Sequence, residues 1–517
     1  MTLIFFFYLS YTLIIPYKSA KISTNERGIY MKNREKLSSR LGFLLISAGC
    51  AVGLGNVWRF PYITGQYGGA AFVLLYLIFL VILGLPIMVM EFSVGRASQK
   101  SSAQSFDVLE PPKTKWHGIK YFAIGGNYLL MMFYTTVGGW MLNYCFKMLS
   151  GHFNGSLHTE EVSATFSNML ADPWQNIFWM LATIVIGFFI CSRGLQNGVE
   201  KVSKYMMSCL FIVMLVLVVR AFTLPNAMEG LKFYLVPDFH KMIENGIGNA
   251  VFAAMGQAFF TLSLGIGSLA IFGSYIGKEH RLTQESLNVC ILDTLVAFIA
   301  GLIIFPSCFS FGVAADSGPG LVFVTLPNVF NSMAGGSIWG FLFFLFMSFA
   351  ALTTIIAVFE NIVAYAMDSG WTRKKAVLVN FVLIIVLSLP CALGFNILSD
   401  IQPLGVGTTI QDLEDFIVSN NLLPLGSLLY LMFCTHRYGW GWKNFINEAN
   451  TGKGKKFPAK LFHYCAYILP VIILVIFFQG YIEKFTWPLN FILATVILAI
   501  VLYFPIQAWI VNRKKAK

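Results

Sequence analysis

Charged residues are scarce in this chain: only 12% of its 517 residues are Asp, Glu, Lys or Arg, whereas 57% are hydrophobic. A soluble globular domain usually carries about twice that charged share. No segment is long and polar enough to fold as a separate soluble domain. The apolar residues occur instead in blocks of about 20, each long enough to cross a bilayer as a helix. The composition therefore predicts an all-α membrane domain that crosses the bilayer many times.

Signs of enzymatic chemistry are missing as well. The nine cysteines form no CxxC pair and show no metal-ligand spacing, and the seven histidines fall in loops or near the ends of spans. The sequence contains no phosphate-binding loop and no nucleophile–base motif. We therefore expect no catalytic residues, no enzymatic activity and no resident cofactor.

About twelve hydrophobic spans can be counted along the sequence. They lie at roughly 41–61, 70–95, 118–149, 174–191, 203–222, 248–275, 288–313, 338–367, 375–396, 410–435, 461–480 and 488–511. Lys and Arg cluster in the N-terminal segment, in alternate loops and in the C-terminal tail, whereas the loops 62–69, 150–173, 314–337 and 397–409 contain neither. Because basic loops stay in the cytoplasm, both termini are predicted to be cytoplasmic, in the inner membrane of a bacterial cell. The net charge of +12 then reflects orientation in the lipid bilayer, and no nucleic-acid partner is expected.

The first 30 residues differ from the rest of the chain. The apolar run from Leu3 to Pro16 is about 14 residues long, which is short for a span. It lacks a basic flank and a clear cleavage site, so it does not read as a signal peptide. We expect Met31 to be the working start, with residues 1–30 an extension of doubtful function and 31–517 the membrane domain. An interfacial anchor at the N-terminus is the alternative.

Two spans contain glycines and polar side chains near their centres: Gly49 to Asn56 in span 1, and Phe260 to Gly267 in span 6. Glycine weakens a helix, and an unwound turn exposes carbonyl oxygens that can bind a cation. Close packing of helices would explain one such motif. Two of them, each opening a five-span half, favour a transporter site between broken helices. The halves, at about 41–222 and 248–435, would be inverted repeats, followed by two extra helices at 461–511.

The residues around both breaks resemble a known family. The segments Arg40 to Pro61, Gly256 to Gly265 and Ala350 to Thr354 closely resemble motifs of the neurotransmitter:sodium symporters, in their bacterial amino-acid branch. The resemblance extends from about Arg34 to the C-terminus. It implies the leucine-transporter fold and sodium-coupled uptake of an amino acid by alternating access. A receptor that binds without transport and a sodium channel are the rival classes. The lack of an appended signalling domain disfavours the receptor, and a pocket between opposed gates disfavours the channel.

The resemblance also implies two sodium sites, with sodium as the coupling ion. The first would use Ala51, Asn56, Thr261 and Asp293, and the second Gly49, Val52, Ala350, Thr353 and Thr354. Read alone, Thr353 and Thr354 could simply donate to the preceding turn of their helix. Animal relatives bind chloride near the first site with the help of a Ser one turn after the position of Asp293, where this chain has Ala297. Because Asp293 brings its own negative charge, we expect transport that does not need chloride.

By the same resemblance, a substrate pocket lies between the broken helices. Its predicted lining is Ala51, Gly53, Leu54, Gly55, Leu130, Phe133, Tyr134, Phe260, Thr261, Ser263, Ile266, Thr354 and Val358. Amine transporters of the family carry Asp at the position of Gly53, so glycine here favours an α-amino acid. The side-chain end of the pocket is apolar, which predicts a neutral hydrophobic or aromatic substrate. Ile266 replaces a Phe of the leucine transporter, so the pocket is expected to be roomier.

Charged residues near both ends of the pocket resemble the family's gates. Arg59 and Asp415 resemble the external pair, with Phe260 and Tyr134 as an aromatic lid. Arg34, Asp368 and Tyr275 resemble the cytoplasmic gate. A solvated ion pair contributes only about 0–1 kcal/mol, which suits a gate that must open. Each of these charges could equally be an ordinary interfacial residue.

Overall fold

The computed structural model describes residues 35–153, 155, 157–244, 246–312 and 320–515. Within these ranges the chain forms helices and loops, and its only strand-like pairing is one backbone bridge between His280 and Lys453. Among the described residues, nine helices are long and apolar enough to cross a membrane, and the bent pair Arg40–Ala51 and Gly55–Gln66 makes a tenth span. The long helix Ile119–Leu149 and the interrupted pair Ile247–Thr261 and Ser268–Tyr275 are counted as two more, which makes twelve. The predicted all-α membrane fold is confirmed. The expectations for residues 1–30 and for Met31 lie outside the described residues.

We number the spans 1 to 12 along the chain. The continuous spans are span 2 Ala70–Ser98, span 3 Ile119–Leu149, span 4 Pro173–Ser192, span 5 Leu195–Phe222, span 7 Leu282–Ser310, span 8 Gly336–Asp368, span 9 Arg373–Leu393, span 10 Ile410–Thr435, span 11 Ala459–Lys484 and span 12 Leu489–Lys515. Span 1 consists of Arg40–Ala51 and Gly55–Gln66, and span 6 of Ile247–Thr261 and Ser268–Tyr275. Both predicted breaks are therefore present. Shorter helices in the connections are Ser102–Leu109, Thr159–Ala171, Ala227–Leu235, Phe239–Glu244, Leu321–Ser332 and Trp442–Ala449.

The core lies among spans 1, 2, 3, 6, 7 and 8. Spans 3 and 8 pack against each other, the first half of span 1 contacts spans 7 and 8, and the second half of span 6 contacts span 2. In its most apolar part, 78% of span 8 is buried inside the protein, against 22% for spans 11 and 12. Backbone groups inside a helix are already paired, so such peripheral helices can turn apolar side chains towards lipid. The interrupted helices are thus surrounded by protein, which tolerates their open backbone.

The start of span 5 is tied to the start of span 1. Glu200 accepts hydrogen bonds from the Ser38 backbone N–H at 2.8 Å and from the Ser38 hydroxyl at 2.6 Å. The Ser39 hydroxyl, at 3.3 Å from the same carboxylate, caps the first helix of span 1. Glu200 ends a π-helical segment, Leu195–Glu200, which opens span 5. A single carboxylate therefore connects the first turns of spans 1 and 5.

Candidate substrate and ion site

The break in span 1 is held open by side chains on both sides. Val52 leaves the helix with φ −66° and ψ 95°, and the side chain of Asn56 accepts from the Gly53 N–H at 3.1 Å. The Leu54 N–H donates to the Tyr134 hydroxyl oxygen at 3.0 Å. A Cβ at Gly53 would lie 2.5 Å from that hydroxyl, so only glycine fits there. The unwound turn thus points backbone amides towards span 3.

The break in span 6 requires left-handed backbone. Ser263, Gly265 and Gly267 have φ of 50°, 84° and 82°, a region that favours glycine. The fully buried carboxylate of Glu91 accepts from the Gly265 N–H at 3.0 Å and from the Leu269 N–H at 3.2 Å. A negative charge at the N-terminus of a half-helix is favourable. Glu91 therefore has a structural role, as a cap for the second half of span 6.

A buried carboxylate joins the two breaks at the predicted first ion site. Asn56 donates through Nδ2 to Asp293 Oδ1 at 2.8 Å, and the Thr261 hydroxyl donates to Oδ2 at 2.9 Å. The Tyr76 hydroxyl donates to Asp293 Oδ2 at 3.5 Å. Asp293 is fully buried, and no described Lys or Arg lies within 4.0 Å of it. A carboxylate in this position is costly unless a cation or a proton offsets its charge.

The predicted second ion site lies where span 1 meets span 8. The Thr354 hydroxyl is 3.4 Å from the Gly49 and Ala350 carbonyl oxygens and 3.5 Å from that of Val52. These long distances describe a loose group of neutral oxygens of the kind that suits a hard cation. Thr353 instead donates to Ala350 and to the preceding turn at 3.0 Å, which is the back-bonding alternative. The structure therefore brings four of the five predicted residues into one oxygen-rich group and leaves the Thr353 hydroxyl satisfied by its own helix.

Between the breaks lies a small closed cavity. It is lined by Ala51, Gly53, Gly55, Leu130, Tyr134, Phe260, Ser263, Ile266, Thr354, Val418 and Leu423. Of the predicted pocket residues, Leu54, Phe133, Thr261 and Val358 are buried nearby but do not line it. Val418 and Leu423 of span 10 were not predicted, because an apolar residue in an apolar helix gives no sequence signal. In this conformation the cavity leaves only about 20 Å³ open to the centre of a water molecule. The larger pocket expected from Ile266 stays a prediction.

The ion pair predicted for the external gate is not formed. The Arg59 guanidinium lies over the Phe260 ring, 4.6 Å from its centre, whereas Asp415 accepts from the Ser419 hydroxyl at 2.8 Å. Within the described ranges, no Arg59 nitrogen lies within 4.0 Å of a carboxylate. A cation above an aromatic face is stabilised by the ring quadrupole. The outer cover of the cavity in this conformation is therefore the contact between Arg59 and Phe260.

Of the residues predicted for the cytoplasmic gate, Arg34 lies outside the described residues. Asp368 accepts from the Ser101 N–H at 2.7 Å and lies 3.7 Å from the Lys100 ammonium. The Tyr275 hydroxyl donates to Glu360 at 3.0 Å, and Glu360 forms a two-pronged ion pair with Arg373 at 2.9 Å. Asp368 and Tyr275 thus have different partners, and neither lines the cavity. The sequence contains no motif that predicts the pairing of Glu360 with Arg373.

These features agree with comparisons to known proteins. A model of the sodium:neurotransmitter symporter family matches residues 34–169 and 161–514, nearly the whole chain. The chain belongs to this family. Its relatives include the uncharacterized sodium-dependent transporter YhdH of Bacillus subtilis, 35% identical over 85% of this chain and 96% of its own length. An uncharacterized sodium-dependent transporter of Haemophilus influenzae is 34% identical over 87% of this chain and 98% of its own length.

A solved structure gives the same result for the fold. The crystal structure of MhsT in complex with L-phenylalanine superposes with a TM-score of 0.76, at 37% identity, over 86% of this chain and 100% of that chain. This symporter therefore has the leucine-transporter fold with broken spans 1 and 6. It is a multi-pass membrane protein that transports its substrate with sodium, and it is not an enzyme.

Proposed function

We propose that this symporter takes up a neutral, hydrophobic or aromatic α-amino acid, driven by sodium and independent of chloride, by alternating access. One observation carries the proposal: the buried cluster of Asn56, Thr261 and Asp293 lies directly beside a cavity that is polar at one end and apolar at the other. A zwitterion and a dehydrated cation can share such a site, because each offsets part of the other's desolvation cost.

The polar end suits a zwitterion. An α-carboxylate would accept from the amides of Leu54 and Gly55 and from the Tyr134 hydroxyl, groups that already face one another at the span 1 break. The substrate amine would meet the carbonyls of Ala51 and Phe260 and the Ser263 hydroxyl, at the ends of the half-helices. Gly53 supplies no carboxylate, so a substrate with an amine but no carboxylate of its own would lack a counter-ion. The backbone amides that would bind a substrate carboxylate would then remain unpaired.

The other end of the cavity suits an apolar side chain. Leu130, Ile266, Val418 and Leu423 surround it, and the cavity lining contains no charged side chain. Burying a charge there without a partner would be strongly unfavourable. MhsT, which shares 37% of its residues with this chain, was crystallised with L-phenylalanine. Leu54, Phe133, Thr261 and Val358, which are buried nearby, would complete the proposed binding shell when the cavity widens around a substrate.

Sodium would bind at the two predicted sites and supply the driving force. Ala51, Asn56, Thr261 and Asp293 would hold one ion, and the carbonyls of Gly49, Val52 and Ala350 with the two threonines of span 8 would hold the other. Two ions that move with a zwitterion down a 100 mV potential and a tenfold gradient contribute about 7 kcal/mol, or roughly 10⁵-fold accumulation. Arg59 and Asp415 would gate the outer path, and Arg34, Asp368 and Tyr275 the inner path, with both termini in the cytoplasm.

Uptake into proteoliposomes tests the coupling. With sodium outside, radiolabelled leucine, phenylalanine or tryptophan should accumulate, and replacing sodium by potassium should reduce accumulation to that of empty vesicles. Replacing chloride by gluconate should leave the rate unchanged, because Asp293 already carries the negative charge. A strong loss of uptake without chloride would refute the proposed chloride independence. A receptor would accumulate nothing, and a channel would show no saturable amino-acid transport.

Ligand-induced stabilisation tests the substrate class. In the presence of sodium, neutral apolar amino acids should raise the thermal unfolding temperature of the purified protein, whereas lysine and glutamate should not. At a concentration 100 times the Kd, a ligand contributes about 2.7 kcal/mol to the free energy of unfolding, which is readily measured. The same panel in potassium serves as the control and should show no shift. Stabilisation by a charged amino acid would contradict the apolar assignment of the cavity.

A further inference from the structure

A second cavity lies on the lipid-facing side of spans 5 and 8. It is a groove of about 460 Å³ lined by Leu215, Val216, Val219, Arg220, Thr223 and Trp339. The span 5 members follow a helical spacing that places them on one face of that helix. Arg220 lies near the last turn of span 5, and Trp339 lies in the first turn of span 8. The groove therefore runs from the membrane boundary into the apolar layer.

The guanidinium of Arg220 lies in this groove, and only some of its N–H groups have a hydrogen-bond partner. Arg220 donates to the Thr223 hydroxyl at 2.8 Å, and its guanidinium carbon lies 5.5 Å from the centre of the Trp339 ring. Its buried Nε has no hydrogen-bond partner, and no carboxylate of the described ranges lies within 4.0 Å. Guanidinium offers five N–H donors and can bind a phosphate in a two-pronged geometry. An anion at this position would complete the surroundings of Arg220.

The walls next to Arg220 are suited to hydrocarbon. Leu215, Val216 and Val219 are exposed in the protein, at 57%, 42% and 67%. In a bilayer these side chains face acyl chains, while Trp339 sits at the depth that tryptophan prefers, between headgroups and hydrocarbon. A cation at the boundary above an apolar wall matches the two ends of a phospholipid: a phosphate headgroup and an acyl chain.

We propose that this groove binds one anionic glycerophospholipid, with its phosphate on Arg220 and Thr223 and an acyl chain along Leu215, Val216 and Val219. This site is separate from the substrate cavity, and the proposal does not depend on the transported substrate. Phosphatidylglycerol, which combines a phosphate charge with two acyl chains, is the probe of this chemistry. Phosphatidylcholine has the same chains and phosphate but no net charge, and serves as its neutral counterpart.

Native mass spectrometry of the purified full-length protein provides the test. One phosphatidylglycerol molecule should remain bound to each protein, and it should bind more tightly than phosphatidylcholine. Replacing Arg220 by Gln should weaken its binding by at least about fivefold, the effect of one cation near a membrane surface, while Arg220→Lys should retain most of it. Arg513→Gln is the matched control, because Arg513 also lies over a tryptophan ring, Trp509, but belongs to span 12, whereas the groove is lined by spans 5 and 8. That variant should bind phosphatidylglycerol as the unmodified protein does.

Photo-crosslinking gives a readout that needs no variant. Phosphatidylglycerol with a photoactivatable acyl chain should label the segment 215–223 or Trp339 of the unmodified protein in vesicles. Equal binding of phosphatidylcholine, labelling elsewhere only, or unchanged binding in a folded Arg220→Gln variant would each overturn the proposal. Displacement of the lipid by inorganic phosphate or glycerol phosphate at similar concentrations would also overturn it, because the site would then recognise a free anion.

Discussion

Replacing Asp293 by Asn should lower sodium-driven uptake at least about tenfold when chloride is absent. The carboxylate is fully buried and accepts from Asn56 and Thr261. An amide of the same shape removes the charge that stabilises a bound cation and turns one acceptor into a donor, facing the donor groups of its neighbours. Contacts with a charged group exceed those with a neutral group by about 1.5 kcal/mol, which corresponds to the expected factor. Initial uptake rates over a range of sodium concentrations measure the effect.

A second substitution separates loss of charge from loss of fold. Ala297 lies one turn after Asp293 and is buried. The double variant Asp293→Asn, Ala297→Ser has the Ser that helps chloride-binding relatives hold their anion. We expect its uptake to recover when chloride is supplied, while Ala297→Ser alone keeps uptake independent of chloride. Normal sodium dependence in the single Asn variant, or no response of the double variant to chloride, would show that the charge of Asp293 is not what the ion site uses.

Replacing Gly265 by Ala should destabilise the protein by about 3 kcal/mol and abolish uptake. Gly265 has φ of 84°, and an added Cβ would lie 2.3 Å from the Leu423 carbonyl oxygen and 2.5 Å from the Ser427 nitrogen. A side chain in left-handed backbone costs about 1–2 kcal/mol, and overpacking costs about 1–3 kcal/mol more. The clash pushes the span 6 break away from span 10, whose Leu423 lines the cavity. Thermal unfolding and proteoliposome uptake measure the two effects.

Gly256→Ala is the matched control on the same span. A Cβ at Gly256 meets no atom within 4 Å, and this glycine lies inside the helix Ile247–Thr261. Because alanine favours helix by about 1 kcal/mol relative to glycine, the variant should unfold at the same or a higher temperature. It should also retain uptake. If Gly265→Ala were as stable and active as this control, the tight packing between the span 6 break and span 10 would not be required for the site.

The two breaks could be predicted from the sequence because their physical cause is local. Paired glycines in an apolar helix mark a turn that helix propensity does not favour, and Gly53, Gly265 and Gly267 lie at the observed breaks. The grouping of Asn56, Thr261 and Asp293 followed only from the family resemblance, since no local spacing relates three different spans. The leucine-transporter fold was expected on the same ground and is confirmed by the match to MhsT.

Other features depend on how helices that are far apart in the sequence pack together, and they could not be predicted from the sequence. Val418 and Leu423 line the cavity at the two ends of a π-helical segment of span 10, Val418–Leu422, which has no glycine or proline inside it to mark it in the sequence. The contact of Arg59 with Phe260 in place of Asp415 is a property of one conformation. The ion pair between Glu360 and Arg373 depends on the turn between spans 8 and 9, and the sequence does not predict the conformation of that turn.

The hydrogen bonds from Ser38 and Ser39 to Glu200 link the start of span 1 to the start of span 5. If the first half of span 1 moves outward to release substrate towards the cytoplasm, either these hydrogen bonds break or the first turn of span 5 moves with it. That turn is π-helical, so it is wound more loosely than the α-helix that follows it. Farther along span 5, Ser208 donates to the Lys204 carbonyl oxygen at 2.9 Å, and the α-helix Lys201–Phe222 continues without a break. The π-helical start of span 5 is therefore the part of this helix on which a movement of span 1 would act first.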